Sequence, residues 1–169
     1  GNHSVIAGGC ANFIKYCENF IGGGCLNKIG DTGTTLSHCA DRASVIVGGS
    51  ANNICGGSAA GLGQCKANFI GGGNTNSIIY SNCATLVGGY SNCMTGANLS
   101  FIGGGDDNYI GNKCAVVVGG ADNTAQGCLS TIVGGRLNTA CSKYSFIGGG
   151  CRNFTTSTND FMFIGGGSN

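Results

Sequence analysis

The residues of this sequence that are most able to do chemistry are its cysteines, and they are unusually frequent. There are 12 cysteines in 169 residues, a density that in small secreted domains indicates a disulfide framework. Their spacing contains no C-x-x-C pair, so it supports neither a zinc site nor a thioredoxin-like redox motif. We therefore expect mostly free thiols that fill small, partly buried spaces, which would suit assembly in a reducing cytosol.

The histidines and acidic residues do not form a recognisable catalytic set. His38 lies in one segment with Asp31 and Asp41, where a polar site could form, but a polar loop is the simpler interpretation. Asp106 and Asp107 are interpreted as exposed turn residues. The GGG runs do not precede helical patterns, so they do not indicate a phosphate-binding loop. The sequence predicts no catalytic residue, no cofactor and no metal site.

These residues belong to a chain that repeats, and internal repeats decide the fold. Ten units begin at residues 4, 19, 44, 68, 84, 100, 115, 130, 145 and 162, and most are 15–17 residues long. Position 3 of each unit is aliphatic, positions 5 and 6 are glycine, and position 9 is asparagine in every unit that reaches it. The asparagines are Asn12, Asn27, Asn52, Asn76, Asn92, Asn108, Asn123, Asn138 and Asn153. A second apolar residue is common two positions after the asparagine, as at Ile29 and Ile110.

A unit this short predicts two strands of about four or five residues and two turns, without a helix. Stacked in register, such units form a β-solenoid (β-roll) with coils about 4.8 Å apart and a total length on the order of 45–50 Å. No coil can bury its apolar residues alone, so stacking stabilises it. We predict an all-β β-solenoid of about ten coils, a single repeat domain over 1–169 within a longer fibre. Insertions are expected near 30–43 and 56–67.

Composition excludes several other classes of protein. Glycine makes up 35 of the 169 residues, but proline is absent and glycine has no three-residue period, so collagen is excluded. Charged residues are only 9%, whereas disordered chains are usually rich in charge. The net charge of +1 gives no electrostatic reason to expect nucleic acid binding. No run of 18 apolar residues is present, so we expect no membrane insertion.

The first strand of each unit shows a pattern on the side opposite position 3. Positions 2 and 4 share that side, because strand side chains alternate. Phenylalanine at position 2 is followed by glycine at position 4, and valine or threonine by alanine or valine. Such compensation of volume is typical of packed surfaces, so we expect further copies of the chain to cover this side. The predicted subunit interface comprises Phe20, Phe69, Phe101, Phe146, Phe163, Val45 and Val116.

The sequence is compatible with two interpretations of the subunit organisation, of the asparagine column and of one cysteine pair. A single-chain solenoid whose insertions cover the apolar side is the alternative to a homo-oligomer. The asparagine column is interpreted as turn residues, because asparagine tolerates a left-handed backbone and bonds to nearby backbone groups, and the stacked amides are expected to form a ladder. The alternative is a row of amides that binds a ligand or cation. Cys10 and Cys25 both occupy position 7 of adjacent units, which places them within disulfide reach if the coils stack.

The unit S-x-I-x-G-G-x-x-N, seen at 44–52 and 130–138, resembles the head repeats of YadA-like trimeric autotransporter adhesins. Related repeats occur in trimeric fibres of phages, large viruses and bacterial surface appendages. The resemblance covers nearly all of the chain. It implies a left-handed homotrimeric β-roll that acts as a stalk or adhesive head of an extracellular appendage, on a virion or a cell surface.

We therefore expect a structural protein without enzymatic activity, a rigid trimeric rod that displays a binding tip or flank loops to a host-surface receptor or glycan. The residues expected to contact such a partner are Asp31, His38, Asp41, Arg42, Gln64 and Lys66. One alternative is a self-polymerising filament that grows at open coil ends. Another is a solenoid that binds ice or carbohydrate, although its threonines are scattered. A polysaccharide-cleaving β-helix would need paired carboxylates on adjacent coils, and the acidic residues do not line up.

Overall fold

The computed structural model describes residues 3–30, 41–55 and 65–168. In these ranges the chain is all-β and winds into a parallel β-solenoid, which confirms the predicted fold class. One sheet has ten strands, a second has nine, and a small third sheet has two. The described coils therefore make nine full turns, and a tenth contributes its first strand.

Positions 2 and 3 of every unit form the ten-stranded sheet. Its strands are β1 Val5–Ile6, β3 Phe20–Ile21, β6 Val45–Ile46, β9 Phe69–Ile70, β11 Thr85–Leu86, β13 Phe101–Ile102, β15 Val116–Val117, β17 Thr131–Ile132, β19 Phe146–Ile147 and β21 Phe163–Ile164. The residues after the asparagine form the nine-stranded sheet. Its strands are β2 Phe13–Ile14, β4 Lys28–Ile29, β7 Asn53–Cys55, β10 Ser77–Ile79, β12 Cys93–Thr95, β14 Tyr109–Ile110, β16 Thr124–Ala125, β18 Thr139–Ala140 and β20 Phe154–Thr155.

The register of both sheets follows the repeat. Ile6 lies opposite Ile21, Ile21 opposite Ile46, and the same correspondence continues along the rod. The backbone at position 7 forms a third column of contacts, made of isolated parallel β-bridges between adjacent coils. The first of these β-bridges joins the backbones of Cys10 and Cys25. The sequence alignment of the units thus predicted which residues become neighbours in adjacent coils, but not this third contact line.

The strands are two or three residues long, so the predicted length of four or five is wrong. The reason is that each coil bends sharply at two corners where a residue other than glycine has a left-handed backbone. One corner is position 8, for example Leu137 with φ 58°. The other is position 0, which we define as the residue directly before position 1, for example Leu129 with φ 58°. Such residues cannot continue a strand.

The core is a single column of aliphatic side chains between the two large sheets. Position 3 is fully buried in the eight inner coils, and the apolar residue two positions after the asparagine faces it from the second sheet, as Ile102 and Ile110 do. Burying one such isoleucine is worth about 1.5–3 kcal/mol, and only the stacking of neighbouring coils excludes water from it.

The small third sheet joins the bases of the two insertions. Its strands are β5 Asp41–Arg42 and β8 Cys65–Lys66, which pair in parallel. Gly30 still belongs to its coil, because its N–H donates to the carbonyl oxygen of Ile54 at 2.8 Å. The predicted insertions near 30–43 and 56–67 otherwise fall mostly on 31–40 and 56–64, outside the described residues.

Candidate functional site

The asparagines of position 9 form a continuous ladder inside the rod. Each of them from Asn27 to Asn138 is 0% exposed. Asn76 is representative: its Nδ2 donates to the carbonyl oxygens of Gly72 at 3.0 Å and Gly89 at 2.9 Å. Its Oδ1 accepts the backbone N–H of Asn92 at 3.0 Å. One side chain therefore closes the turn of its own coil and bonds to the next coil, as the ladder interpretation predicted.

The corner at position 8 explains why an amide is needed at position 9. The left-handed residue makes two successive N–H groups point toward the preceding coil. The first finds a backbone carbonyl, as Leu26 N–H does at Cys10 O, 2.9 Å away. The second has no carbonyl left, and the N–H of Asn27 donates to Oδ1 of Asn12 at 3.0 Å instead. The asparagines themselves do not have a left-handed backbone, so that part of the turn interpretation is wrong.

A second, less regular ladder follows the other corner and was not predicted. The N–H of position 1 also points toward the preceding coil, and small polar side chains accept it. Ser44 N–H donates to Oδ1 of Asn19 at 2.9 Å, and Asn68 N–H donates to Oγ of Ser44 at 3.3 Å. The available signal was the serine or asparagine at position 1 of most units. Both ladders satisfy buried backbone groups that would otherwise cost free energy.

The second glycine of each pair is required by the asparagine ladder. A Cβ atom at Gly120 would lie 2.2 Å from the carbonyl oxygen of Gly135 and 2.7 Å from Nδ2 of Asn123. The backbone at Gly120 is also left-handed, with φ +92°, which glycine adopts at little cost. Position 6 therefore accepts only glycine, because the neighbouring coil and the ladder amide occupy the space of any side chain.

The first glycine of each pair has a different environment. At Gly8, Gly23, Gly48, Gly119 and Gly134 a Cβ atom would have no atom within 4 Å, and φ lies outside the left-handed region. One coil alone would therefore accept a side chain at these places. The sequence nevertheless has glycine at position 5 in all ten units. In four of them the backbone itself favours glycine, since φ is +150° to +157° at Gly72, Gly104, Gly149 and Gly166.

The side of the ten-stranded sheet that faces away from the core is named here the outer face, and it consists of positions 2 and 4. It contains twenty residues in the described coils, and none of them carries a charge. Its valines at position 4 are substantially exposed, for example Val118 at 48% and Val133 at 42%. The predicted interface residues all lie on this face, where Phe69, Phe101 and Phe146 are half-buried and Phe20 and Phe163 are exposed.

The exchange of volume between positions 2 and 4 has a source within one chain. A Cβ atom at Gly103 would lie 3.3 Å from Cε1 of Phe101 and 2.3 Å from the carbonyl oxygen of Val118. The phenylalanine ring therefore lies across the glycine of its own strand and occupies the space of a position-4 side chain. The compensation keeps the total side-chain volume on the outer face similar from coil to coil, but it does not by itself require a second chain.

The outer side of the nine-stranded sheet offers a contrast inside the same molecule. Its positions include Lys15, Lys28 and Gln126 as well as several serines and threonines. The two sheets thus share one backbone plan and one core, but only the ten-stranded sheet has an outward side without charge. Depletion of charged residues is the compositional mark of the centre of a protein interface.

The ten cysteines whose side chains the structure describes are all free thiols. Cys10 and Cys25 lie opposite each other in adjacent coils, where a parallel β-bridge pairs their backbones, as their shared place in the repeat predicted. Partial burial raises the pKa of the Cys25 thiol, and the charge and hydrogen bond of the neighbouring Cys10 raise it further. Burial also raises the pKa of Cys141. Neither thiol is therefore activated as a nucleophile.

The remaining polar candidates do not assemble into a site in the described ranges. No three or more of the described His, Cys, Asp and Glu residues are placed to hold a metal ion. Arg136 and Asp122 form an exposed ion pair at 3.3 Å beside Asp106 and Asp107 on neighbouring corners. Such an exposed pair contributes about 0–1 kcal/mol.

Three of the residues expected to contact a partner, Asp31, His38 and Gln64, lie outside the described residues. The other three, Asp41, Arg42 and Lys66, lie in β5 and β8. The structure thus brings Arg42 and Lys66 together as directly paired residues of the small sheet. It assigns them no ligand.

Together, the fold and the ladder define the class of this protein as a parallel β-solenoid. Comparison of the sequence with models of protein families gives no match, and no curated protein matches the chain. The likeness to adhesin head repeats therefore remains a resemblance of motifs. In the described ranges there is no helix that is long and apolar enough to cross a membrane.

Proposed function

We propose that this chain is a structural rod, in which three parallel copies pack through their outer faces and hold a binding tip or flank loops away from a surface. The observation that carries this proposal is the absence of charge from the outer face over its whole length. A face of this kind, exposed on one chain, is larger and more uniform than the apolar patches that monomers normally carry.

A parallel arrangement is compatible with the spacing of the coils and is what rotation of copies about an axis along the rod requires. Residues on the outer face recur about every 4.8 Å along the rod, and a second copy running in the same direction recurs at the same interval. Copies related by rotation about an axis along the rod then meet at equivalent heights, and such cyclic symmetry closes the assembly. The number three comes from the resemblance to trimeric fibre repeats.

Light scattering during size-exclusion chromatography tests this function. We expect a mass of about 50 kDa, three times the 16.7 kDa of one chain. The double variant Val118→Lys, Val133→Lys places two charges on the outer face and should elute as a 16.7 kDa monomer. A wild-type protein that is monomeric at all concentrations would contradict the proposal, and a mass that grows without limit would favour the filament alternative.

The matched control places the same two charges on the other sheet of the same two coils. Thr124→Lys, Thr139→Lys alters the outward side of β16 and β18, where Lys28 already occupies the equivalent position of an earlier coil. We expect this variant to keep the wild-type mass. Dissociation of both double variants would indicate a general effect of charge and not an interface on the outer face.

A further inference from the structure

A ridge of apolar side chains runs along one edge of the outer face. It consists of the position-0 residues of six consecutive coils, and we call it the apolar ridge. Its members are Cys83, Leu99, Cys114, Leu129, Tyr144 and Phe161. The exposed fraction of Leu99 is 67% and that of Phe161 is 76%. The rings of Tyr144 and Phe161 stack with centroids 4.7 Å apart, so these two neighbouring members of the ridge are in direct contact.

If the ridge faces water, it carries two costs in free energy, one from its backbone conformation and one from its exposed apolar side chains. All six residues have a left-handed backbone, with φ between 53° and 61°. Asparagine, aspartate and glycine accept this conformation most readily, while other residues pay roughly 1–2 kcal/mol. None of these favoured types occurs at position 0 of the six coils, where the chain instead has cysteine, leucine and aromatic side chains. Both costs are offset if another surface buries the ridge.

The column of position-5 glycines runs along the opposite edge of the outer face. As described above, no atom of the described residues lies within 4 Å of the place that a Cβ atom would take at Gly8, Gly23, Gly48, Gly119 or Gly134. At these five positions and at Gly88, six of the ten units, glycine recurs without a steric or backbone reason inside one chain; in the other four units its φ of +150° to +157° already favours glycine. Bare backbone at every step leaves room for the close approach of side chains from outside.

We propose that the apolar ridge of one copy packs along the position-5 glycines of the next copy, so that each subunit contributes both halves of a head-to-tail contact around the axis. This inference rests on the proposed function and specifies how its subunits meet. In a closed ring every subunit presents one surface to the neighbour on its left and a different one to the neighbour on its right. The two edges of the outer face supply these two surfaces.

The occupant is a second copy because of period and area. Ridge side chains recur about every 4.8 Å, and a partner with the same coil spacing matches them in register along the rod. The strip from position 0 to position 5, taken over ten coils, measures on the order of 600 Å² in projection. Each subunit shares this strip between its two neighbours in the ring, and the accessible area of the whole strip is of the order of the ~800 Å² that one partner buries in a stable interface. Lys113 and Lys143 flank the ridge as exposed polar rim residues.

The test compares two pairs of leucines that share a backbone conformation. Leu99→Asn, Leu129→Asn changes the ridge, whereas Leu26→Asn, Leu137→Asn changes the position-8 corner, and φ is 56–58° at all four residues. Asparagine accepts this backbone, so both variants should fold. We expect the ridge variant to raise the concentration of half-dissociation by at least about tenfold, equivalent to ~1.4 kcal/mol, and the corner variant to leave it unchanged.

A second variant tests the other half of the contact. Gly119→Ala, Gly134→Ala adds two methyl groups where one chain leaves open space, so its circular dichroism should match that of the wild type. We expect it to weaken assembly as the ridge variant does. If both variants assemble like the wild type while Val118→Lys, Val133→Lys dissociates, this inference is overturned and the proposed function stands. If the wild type itself is monomeric, both fail.

Discussion

At the scale of single residues, the side chain of one buried asparagine per coil connects two successive coils. Asn76 donates two hydrogen bonds to glycine carbonyl groups and accepts one from the backbone of Asn92. Replacement by alanine would leave these groups buried without partners, at a cost of about 1–3 kcal/mol each. We therefore expect Asn76→Ala to lower the free energy of unfolding by about 3–5 kcal/mol, measured by urea denaturation followed by circular dichroism.

The control lies two residues away in the same coil. Asn74 is exposed at position 7 and makes its coil-to-coil contacts through the backbone. Asn74→Ala should therefore change the free energy of unfolding by less than about 0.5 kcal/mol. Equal effects of the two substitutions would show that the ladder amides are not what holds neighbouring coils together.

The Cys25 thiol provides a prediction about pH. Because partial burial and the neighbouring Cys10 raise its pKa, less thiolate is present at a given pH than for an ordinary cysteine. Alkylation of Cys25 by iodoacetamide, followed by peptide mass spectrometry, should therefore have its midpoint at higher pH than a free peptide thiol. Cys10→Ser should move that midpoint part of the way down, because burial remains. An unchanged midpoint in this variant would argue against coupling of the two thiols.

The asparagine column could be found in the sequence because it recurs at a fixed place, and its hydrogen-bonding chemistry is general. The backbone geometry around the asparagine could not be predicted from the sequence. The left-handed residue precedes the asparagine and is itself alanine, leucine, threonine, serine, aspartate or arginine. Propensity gives little warning of such a corner, because stacking between coils imposes the conformation and overrides the local preference of the residue.

At the scale of the elements, the two glycines of each pair look equivalent in the sequence and differ in the structure. Gly120 is confined by the next coil and by Asn123, whereas Gly119 borders open space. We expect Gly120→Ala to lower the free energy of unfolding by about 2–3 kcal/mol, the cost of a strained backbone with a displaced neighbour. Gly119→Ala should leave it nearly unchanged.

This comparison should be made in the Val118→Lys, Val133→Lys background, so that subunit contacts do not contribute to either value. Urea denaturation of the three proteins gives the differences directly. A loss of stability for Gly119→Ala as large as for Gly120→Ala would mean that the turn itself, and not the crowding at position 6, requires both glycines.

The strands illustrate what periodicity can and cannot predict. Alternation placed position 3 inside and positions 2 and 4 outside, and the burial of Ile102 and Ile132 confirms this. Strand length depends on where the corners fall, and corners made by ordinary residues leave no mark in an apolar pattern. The bridge column at position 7 was missed for the same reason, since its residues range from alanine to arginine.

At the scale of the whole molecule, lateral and end-to-end assembly make different predictions about length. Packing through the outer face triples the mass without lengthening the rod, whereas addition at coil ends lengthens it with every copy. Small-angle scattering should therefore give the wild type and Val118→Lys, Val133→Lys nearly the same maximum dimension, on the order of 45–50 Å for ten coils. A wild-type dimension that grows with concentration would contradict lateral packing.

The repeat was sufficient to predict the class of the fold, but the biological role depends on surfaces that the repeat does not specify. The asparagine ladder, the core and the turn glycines recur along the rod and could be predicted by comparing units. The insertions and the apolar ridge vary from coil to coil. The sequence around Arg42 and Lys66, at the bases of the insertions, does not identify a ligand. Insertions in repeat proteins often lie on the binding face, so partner contacts are expected at such departures from regularity.

The continuous ladder has a consequence for how the rod could change over time. Each coil offers the next one the same acceptor and receives the same donor, so loss or duplication of one unit leaves an unbroken series. The length of the rod is then set by the number of repeats in its gene, in increments of about 4.8 Å. Recombination between units would change that length without altering the contacts between adjacent coils.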